Sequence, residues 1–294
     1  MTTLAAENEE EEYFEEEISD EEKVKIATHY LMSSPPAEIR EVEKDVRVLV
    51  PSSVLSNKTI VDTYRKYNLE NFTVGQTPDG SNMLVCKAGE VDETHYKDPR
   101  AKKVYGYDHR EQQWKAEDGA YEAGDSEDTR DAVQKAIDEY VSAYYRNDKD
   151  AKSAAAVYST SDGKLEIRIC GVASDLRNYW SGRWKSSYTV DLGTSTISGS
   201  TKLLAHYFED GNVQMQTSQN FKGTFTAQGE ALGTALTDMI KKFESDLHNE
   251  LGEMYTSMSA DTFKDMRRIL PVTKQKFDWS GVSSKLNSTM SSSS

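Results

Sequence analysis

The chain has 294 residues and a formal net charge of −15, a length that allows one large domain or two smaller ones with a buried core. No stretch approaches the 18 apolar residues of a membrane-spanning helix, and no apolar leader opens the chain. From this we expect a soluble protein. Cys86 and Cys170 are isolated from each other, which indicates a reducing compartment, cytosolic or nuclear.

The acidic charge is concentrated at the N-terminus. Eleven acidic residues and no Lys or Arg lie in residues 1–22, and the run from Glu7 to Glu17 holds few apolar side chains. Such a run cannot bury enough apolar surface to fold and is typical of a solvated tail. We therefore predict an acidic disordered leader over residues 1–18.

Three amphipathic helices are predicted over residues 19–70. Ser19 followed by Glu22 is a capping box, and Pro35 ends the first helical run. The predicted apolar stripes are Val24, Ala27, Tyr30 and Leu31; Ile39, Val42, Val46 and Leu49; and Val54, Val61, Tyr64 and Tyr67. Short connections marked by proline indicate that these helices form a small antiparallel layer.

Residues 71–125 are predicted to form a small region of short strands and loops. Met83–Cys86 and Val104–Tyr107 are short alternating segments between turn signals. Residues 115–130 are polar and acidic and are predicted as a loop. A helix carrying Val133 and Ile137 is predicted to begin near Asp125 or Ser126.

Residues 126–260 are predicted to hold that helix, a central antiparallel sheet and a long helix. Leu165, Ile167 and Ile169 alternate with more polar residues, as in a strand with one apolar face. The turn signals at 161–164 and 209–212 predict tight hairpins, and strands joined so tightly must be antiparallel. Trp180 and Trp184 are four apart on one strand, so we interpret them as packing residues on one face.

The long helix is predicted from eight apolar residues at helical spacing. They are Leu232, Leu236, Ile240, Phe243, Leu247, Leu251, Met254 and Met258. The helix they define would be about 40 Å long and well suited to cross a sheet. Its length raises the question of whether the sheet of one chain is wide enough to cover it.

Residues 261–294 differ in character from the rest of the chain. Their cationic side chains include Lys264, Arg267, Arg268, Lys274 and Lys276. Trp279, Val282, Leu286 and Met290 then follow at spacings of three, four and four, which places them on one face of a helix. One interpretation is a disordered solubilising extension. The other, favoured by the one-sided apolar stripe, is a helix that docks in a hydrophobic groove with an acidic rim.

Several segments resemble the alpha subunits of the F-actin capping protein family. The strand segment Tyr179–Ser186 (Y-W-S-G-R-W-K-S) and the hairpin His206–Gln214 (H-Y-F-E-D-G-N-V-Q) are the most specific. Ser19–Val24, Asp98–Arg100 and Leu270–Lys274 (L-P-V-T-K) also match, and the resemblance runs in consistent order from about residue 19 to residue 290.

The resemblance implies an α+β fold in a mushroom-shaped heterodimer. The helices form an N-terminal antiparallel stalk, and the central antiparallel β-sheet is half of a sheet shared with the beta subunit and crossed by the long helix. Residues 261–294 form a C-terminal amphipathic tentacle. A shared sheet would cover the long helix and would remove an edge strand that otherwise invites aggregation.

The function implied is the capping of actin filament barbed ends, independent of calcium and without catalysis or cofactors. The actin-binding residues would be Lys264, Arg267, Arg268, Lys274, Lys276, Trp279, Val282, Leu286 and Met290. Phosphoinositides would act at Lys264 and Arg268. The family also implies CARMIL-type peptides, myotrophin-type inhibitors and the actin-related filament of dynactin as partners, with a cytoplasmic location in the cortical actin cytoskeleton.

The alternatives belong to other classes. No nucleotide-binding, zinc-protease, hydrolase or C-x-x-C motif occurs, and the five histidines are scattered, with His206 interpreted as a hydrogen-bonded core or groove residue. An enzyme of another mechanism would lose activity when a histidine or a pocket acidic pair is changed. A general peptide-binding scaffold would show no dependence on filament ends. The net charge of −15 opposes nucleic-acid binding, which needs a broad basic surface.

Overall fold

The computed structural model describes residues 18–121, 127–209 and 212–257. They fall into two compact units, one ending at Gly233 and the other beginning at Thr234. The α-helices are α1 (Asp20–Met32), α2 (Ile39–Leu49), α3 (Asn57–Asn71), α4 (Glu127–Tyr144) and α5 (Glu230–Ser257). The predicted acidic leader and C-terminal extension lie outside the described residues.

Helices α1 to α3 enclose one apolar core. Ser19 caps α1 by accepting a hydrogen bond from the Glu22 amide, which confirms the helix start predicted from the capping box. Ser56 caps α3 in the same way, so this helix begins at Asn57 and Val54 of the predicted stripe precedes it. The buried core residues are Ala27, Leu31, Ile39, Val46, Val50, Leu55, Ile60, Tyr64 and Tyr67.

Three residues of the predicted stripes face solvent instead. Tyr30 is 58% exposed, Leu49 is 79% exposed and Val61 is 40% exposed. Beside Tyr30, Leu31 is buried as the stripe predicted, whereas beside Leu49 and Val61 the buried residues are Val50 and Ile60, which the stripes did not include. Successive residues of a helix are rotated by about 100°, so neighbouring positions such as Ile60 and Val61 face different sides, and the other members of each stripe keep the predicted packing face.

The strands form three antiparallel sheets in the described residues. The strands are β1 (Val74–Gln76), β2 (Asn82–Leu84), β3 (His95–Asp98), β4 (Lys103–Asp108), β5 (Gln113–Ala120), β6 (Ala151–Ser159), β7 (Lys164–Asp175), β8 (Trp180–Asp191), β9 (Thr196–Tyr207) and β10 (Val213–Thr224). Strands β1 and β2 pair, β3, β4 and β5 pair in that order, and the large sheet has the order β10-β9-β8-β7-β6.

Strand β5 occupies part of the segment predicted as a loop. It pairs with β4 through Tyr107 and Trp114 and through Tyr105 and Glu117, so the prediction of a loop from residue 115 is wrong up to Ala120. Beyond Trp114, every residue of β5 is exposed. A strand exposed in this way keeps no apolar alternation, and the sequence pattern therefore does not distinguish it from a loop.

The large sheet is regular and two-faced. Its hairpin from β6 to β7 turns at residues 160–163, where Gly163 has a φ of 77°, as the turn signal predicted. The apolar face carries Ile167, Ile169, Tyr188, Val190 and Ile197, all fully buried. We call the opposite side, which carries Ser181, Arg183, Lys185, Lys202 and His206, the polar face.

Helix α5 is the longest helix of the described chain. It runs for 28 residues, which corresponds to about 42 Å, and its existence confirms the prediction of a long helix in this part of the sequence. The last residue of the predicted stripe, Met258, lies outside the described residues. No helix in the described ranges is long and apolar enough to cross a membrane.

Candidate assembly surface

One edge of the large sheet is blocked by side chains. At edge strand β6, Asn82 donates to the Ser153 carbonyl at 3.1 Å. Gln134 of α4 exchanges two hydrogen bonds with this edge, accepting from the Val157 amide at 2.7 Å and donating to the Ala155 carbonyl at 3.5 Å. Because these groups occupy the edge, a further strand cannot pair along β6 without displacing them.

A buried arginine completes this closure. Arg130 of α4 is 1% exposed and donates to the Val157 carbonyl at 3.3 Å and to the Pro99 carbonyl at 2.9 Å. Its Nε also pairs with Glu127 at 2.9 Å, so the buried charge has an anionic partner. Helix α4 thus covers β6 with polar groups that substitute for a neighbouring strand.

The opposite edge strand, β10, is different. It pairs with β9 over 12 consecutive residues without a register shift, and no strand of the described ranges lies on its outer side. Val213, at the start of this strand, is 62% exposed. A long and regular edge is the kind that pairs with another strand, since its outward backbone groups need hydrogen-bond partners.

The side chains of β10 continue the two faces of the sheet. On the apolar face, Phe221 lies edge-on to Tyr188, with ring centroids 6.1 Å apart. On the polar face, every residue of β10 is exposed: Gln214, Gln216, Ser218, Asn220, Lys222 and Thr224. A strand added beside β10 would therefore extend both an apolar layer and a polar layer.

The helical layer is fixed to one end of the polar face. The Glu38 carboxylate accepts from Ser181 Oγ and from His206 Nδ1, each at 2.7 Å, and these two residues are cross-strand partners on β8 and β9. Arg183 donates to the Tyr67 hydroxyl at 3.2 Å, and that hydroxyl donates to the Pro35 carbonyl at 3.1 Å. The sequence interpretation of His206 as a hydrogen-bonded core or groove residue is confirmed, since the side chain is buried and bonded to Glu38.

A cationic pair lies next to this anchor. Lys185 and Lys202 are direct cross-strand partners on the polar face. Burial, together with the charges of Lys202 and Arg183, lowers the pKa of Lys185 to about 8. Its ammonium group donates to the Glu70 carbonyl and lies 5.1 Å from the centroid of the Phe72 ring, which partly offsets the repulsion.

Exposed apolar side chains mark the outer surface of the helices. Ile26 and Tyr30 are one turn apart on α1, and Val48 and Leu49 end α2 with exposures of 84% and 79%. Single exposed apolar residues are ordinary, whereas groups of them are a frequent mark of contact surfaces.

The residues predicted to bind actin and phosphoinositides all lie outside the described residues. They are Lys264, Arg267, Arg268, Lys274, Lys276, Trp279, Val282, Leu286 and Met290. Their roles stay predictions. The sequence reasoning missed two features, the blocked β6 edge and the Glu38 anchor. For the anchor, the sequence offered a single signal, a glutamate shortly after Pro35-Pro36.

These observations define a class of protein: a mixed helix-and-sheet chain with antiparallel sheets, in which one sheet edge is blocked and the other presents a long regular strand. The family model of the F-actin capping protein alpha subunit matches residues 27–289. The chain therefore belongs to the F-actin capping protein alpha subunit family.

Individual relatives agree with this assignment. The F-actin-capping protein subunit alpha of Dictyostelium discoideum is 37% identical over 277 residues, covering 90% of this chain and 95% of that protein. Its counterpart in Chaetomium thermophilum is 31% identical over 255 residues, covering 86% and 90%. A solved homodimeric actin capping protein alpha subunit from Plasmodium berghei has the same fold, with a TM-score of 0.69, 23% identity, and coverage of 85% of this chain and 98% of that one.

Proposed function

We propose that this chain is the alpha subunit of a heterodimer that caps the barbed ends of actin filaments. Membership of the capping protein alpha family implies actin binding and partnership with a beta subunit. The observation that carries the assembly half of the proposal is the contrast between the two edges of the large sheet. Side chains block β6, whereas β10 offers 12 regular residues for pairing.

In this proposal the beta subunit adds its strands beside β10. The added strands extend the apolar face past Phe221 and widen the surface on which a long helix can pack. The exposed apolar side chains of α1 and α2 supply a second contact, between helical stalks. Together these contacts would make the assembly obligate. In an isolated chain, the exposed edge of β10 and the exposed apolar side chains of α1 and α2 would both favour aggregation.

The capping half of the proposal rests on residues 261–294. The cations from Lys264 to Lys276 would steer the chain to an acidic filament end, and Trp279 and the apolar stripe would hold it there. Phosphoinositides would compete at Lys264 and Arg268, since anionic headgroups attract the same cations. Capping independent of calcium, the CARMIL-type, myotrophin-type and dynactin partners and the cortical location belong to this proposal through the family resemblance.

The assembly is tested by proline substitution in β10. Along an edge strand, backbone N–H groups point alternately to the neighbouring strand and outward. Of the two variants Gln216→Pro and Thr217→Pro, one therefore removes an outward donor and the other a donor to β9. We expect the variant that removes an outward donor to lose co-purification with the beta subunit while the chain keeps its helix content. The variant that removes a donor to β9 should destabilise the chain itself.

The result also separates a heterodimer from other assemblies. Size-exclusion chromatography with light scattering on the full chain, alone and coexpressed with a beta subunit, gives the stoichiometry. A stable, cooperatively melting monomer would contradict the proposed role of β10. A homodimer that excludes the beta subunit would be consistent with pairing along β10 but would contradict the proposed heterodimer.

Capping is tested by seeded actin elongation with the purified assembly, measuring growth at the barbed and pointed ends separately. We expect barbed-end growth to stop at substoichiometric concentrations while pointed-end growth continues. Equal inhibition at both ends would instead indicate sequestration of actin monomers, and no inhibition would overturn the capping proposal.

A further inference from the structure

A cationic cavity lies in the helical layer, beside helix α2. It measures about 280 Å³, opens to solvent, and is lined by α2, by Tyr64 of α3 and by the turn between β4 and β5. Its ionisable lining consists of four cations, Arg40, Lys44, Arg47 and Arg110, and two carboxylates, Glu43 and Glu111. The lining thus has a formal charge of +2 in a chain whose net charge is −15.

The spacing of residues along α2 creates this lining. Arg40, Lys44 and Arg47 lie at positions i, i+4 and i+7 and therefore share one face of the helix. The turn between β4 and β5 places Arg110 opposite them, where its guanidinium reaches Glu43 at 2.8 Å. Cations from two separate elements therefore converge on one space.

Glu43 holds the side chains around the cavity in place. Its carboxylate is 10% exposed and accepts hydrogen bonds from Arg47 Nε at 3.0 Å, from the Tyr64 hydroxyl at 2.9 Å and from Arg110 at 2.8 Å. Burial alone would raise the pKa of Glu43, but the hydrogen bonds from Arg47 and Tyr64 and the charge of Arg110 outweigh it and lower that pKa. The carboxylate therefore stays ionised and fixes both guanidinium groups.

Two guanidinium groups keep donors for a ligand. Arg110 hydrogen-bonds within the described residues through one nitrogen, to Glu43, and Arg40 through one nitrogen, to the carbonyl of Glu111. Each guanidinium has five N–H donors in a planar fork. Their side chains are 38% and 47% exposed, so the remaining donors can reach an incoming anion.

We propose that this cavity binds the phosphate group of a small, soluble phosphate ester. The charge of a phosphate monoester dianion matches the +2 of the lining, and its oxygens suit two arginine forks approaching from different elements. A volume of about 280 Å³ is just below the roughly 300–1,000 Å³ of ligand pockets, so it admits a phosphate with only a few further atoms.

The test is calorimetric titration of the full-length chain, in the assembly in which it purifies, with glycerol 2-phosphate at low ionic strength. Glycerol without phosphate is the control for the rest of the ligand. We expect saturable binding to the phosphate ester, an increase in the melting temperature with ligand concentration, and no response to glycerol. No saturable binding would overturn the proposal.

Matched variants identify the site. Arg110→Gln and Arg40→Gln should each weaken binding about tenfold or more, because each removes charged fork donors. The control is Arg146→Gln, which neutralises an arginine that is 61% exposed and pairs with Asp148 outside the cavity. Equal weakening by the cavity variants and the control would show general charge attraction and would overturn the site.

Two further variants guard against loss of structure. Lys44→Gln changes a side chain that is 70% exposed and paired on the surface with Glu41, so it should weaken binding without altering the melting temperature of the free protein. Arg110→Lys keeps a positive charge beside Glu43 but removes the planar fork, and we expect weaker binding with nearly unchanged stability. Unchanged binding in both variants would contradict recognition by this cavity.

The source of the phosphate is decided by two additional ligands. Phosphatidylcholine vesicles containing a phosphoinositide, and a phosphoserine peptide, are titrated in parallel with glycerol 2-phosphate. Binding to either of these that depends on Arg110, together with no binding of glycerol 2-phosphate, would overturn a small soluble ligand in favour of a membrane or a phosphorylated protein.

Discussion

The carboxylate of Glu38 accepts a hydrogen bond from Nδ1 of His206 at 2.7 Å, although the two residues are 168 positions apart in the sequence. Both side chains are nearly buried, at 12% and 6% exposed. Since the same carboxylate oxygen also accepts from Ser181, one residue in the connection between α1 and α2 ties the helical layer to two strands.

Glu38→Ala should therefore destabilise the protein by about 1–3 kcal/mol, because it leaves two buried donors without an acceptor. Thermal unfolding should show a loss of about 2–4 °C for each kcal/mol in a unit of this size. The control is Glu41→Ala, which removes an exposed pair with Lys44 and should change stability by less than about 1 kcal/mol. Equal effects of the two substitutions would contradict the anchoring role of Glu38.

Gly199→Ala should disrupt the centre of the large sheet. Gly199 pairs directly with Tyr188, and a Cβ added there would lie 2.6 Å from Tyr188 Cδ1 and would also clash with the Ser187 carbonyl. Backbone atoms cannot move aside easily, so we expect a loss of about 1–3 kcal/mol in the free energy of unfolding by denaturant. At Gly182, one strand away, the nearest atom would be 3.7 Å from the new Cβ, and Gly182→Ala should be nearly neutral by comparison.

Asp138 on α4 should make stability depend on pH. Burial raises the pKa of Asp138 to about 6, against the opposing charge of Arg100 and a hydrogen bond from Gln134. A raised pKa means that the folded state binds the proton more tightly than the unfolded state, whose pKa is about 3.9. The ionised carboxylate therefore costs stability progressively as pH rises from about 4 to about 6, and the full cost persists above that range.

Asp138→Asn should consequently stabilise the protein by about 1–2 kcal/mol at pH 7.5, and the gain should vanish below about pH 4. Denaturant unfolding at several pH values measures the difference. Glu139→Gln, at the exposed neighbouring position on the same helix, should show no such pH-dependent gain. If the stabilisation by Asp138→Asn increased toward acidic pH instead, it would contradict a raised pKa of Asp138.

Reversing two cations of the C-terminal segment should slow the arrival of the protein at filament ends. The double substitution Lys264→Glu and Arg268→Glu should reduce the association rate in barbed-end capping, most strongly at low salt, because charge governs diffusional encounter. Lys149→Glu, at a lysine that is 83% exposed, is the matched reversal outside the segment and should have a smaller effect. Association rates that are unchanged at low salt would rule out steering by Lys264 and Arg268.

Truncating Trp279 should shorten the lifetime of caps on single filaments. Aromatic anchors typically contribute about 2 kcal/mol or more, which corresponds to about a 30-fold loss of affinity. Leu286→Ala and Met290→Ala should cost less, because their Ser-rich helix must also be ordered on binding. Ser284→Ala, off the apolar stripe, is the control. If Trp279→Ala slows only arrival and leaves lifetimes unchanged, Trp279 does not face actin.

Local sequence signals determined much of the secondary structure. The capping box at Ser19, the turn containing Gly163, the alternation from Leu165 to Ile169 and the long stripe from Leu232 each correspond to the predicted element. These signals lie within a few residues of the structure that they specify, so periodicity and turn chemistry suffice to identify them. The motifs at 179–186 and 206–214 likewise identified the family.

The tertiary structure decided which surfaces are closed and which are open. Strand β5 shows no apolar alternation because it is exposed beyond Trp114. One member of each predicted helical stripe, Tyr30, Leu49 or Val61, faces solvent. Gln134 blocks the β6 edge from 21 and 23 residues away, and Glu38 meets its partners across 143 and 168 residues. Such contacts depend on how the elements pack. In the sequence, a polar residue that will hydrogen-bond to a distant backbone group or side chain cannot be distinguished from a polar residue on the surface.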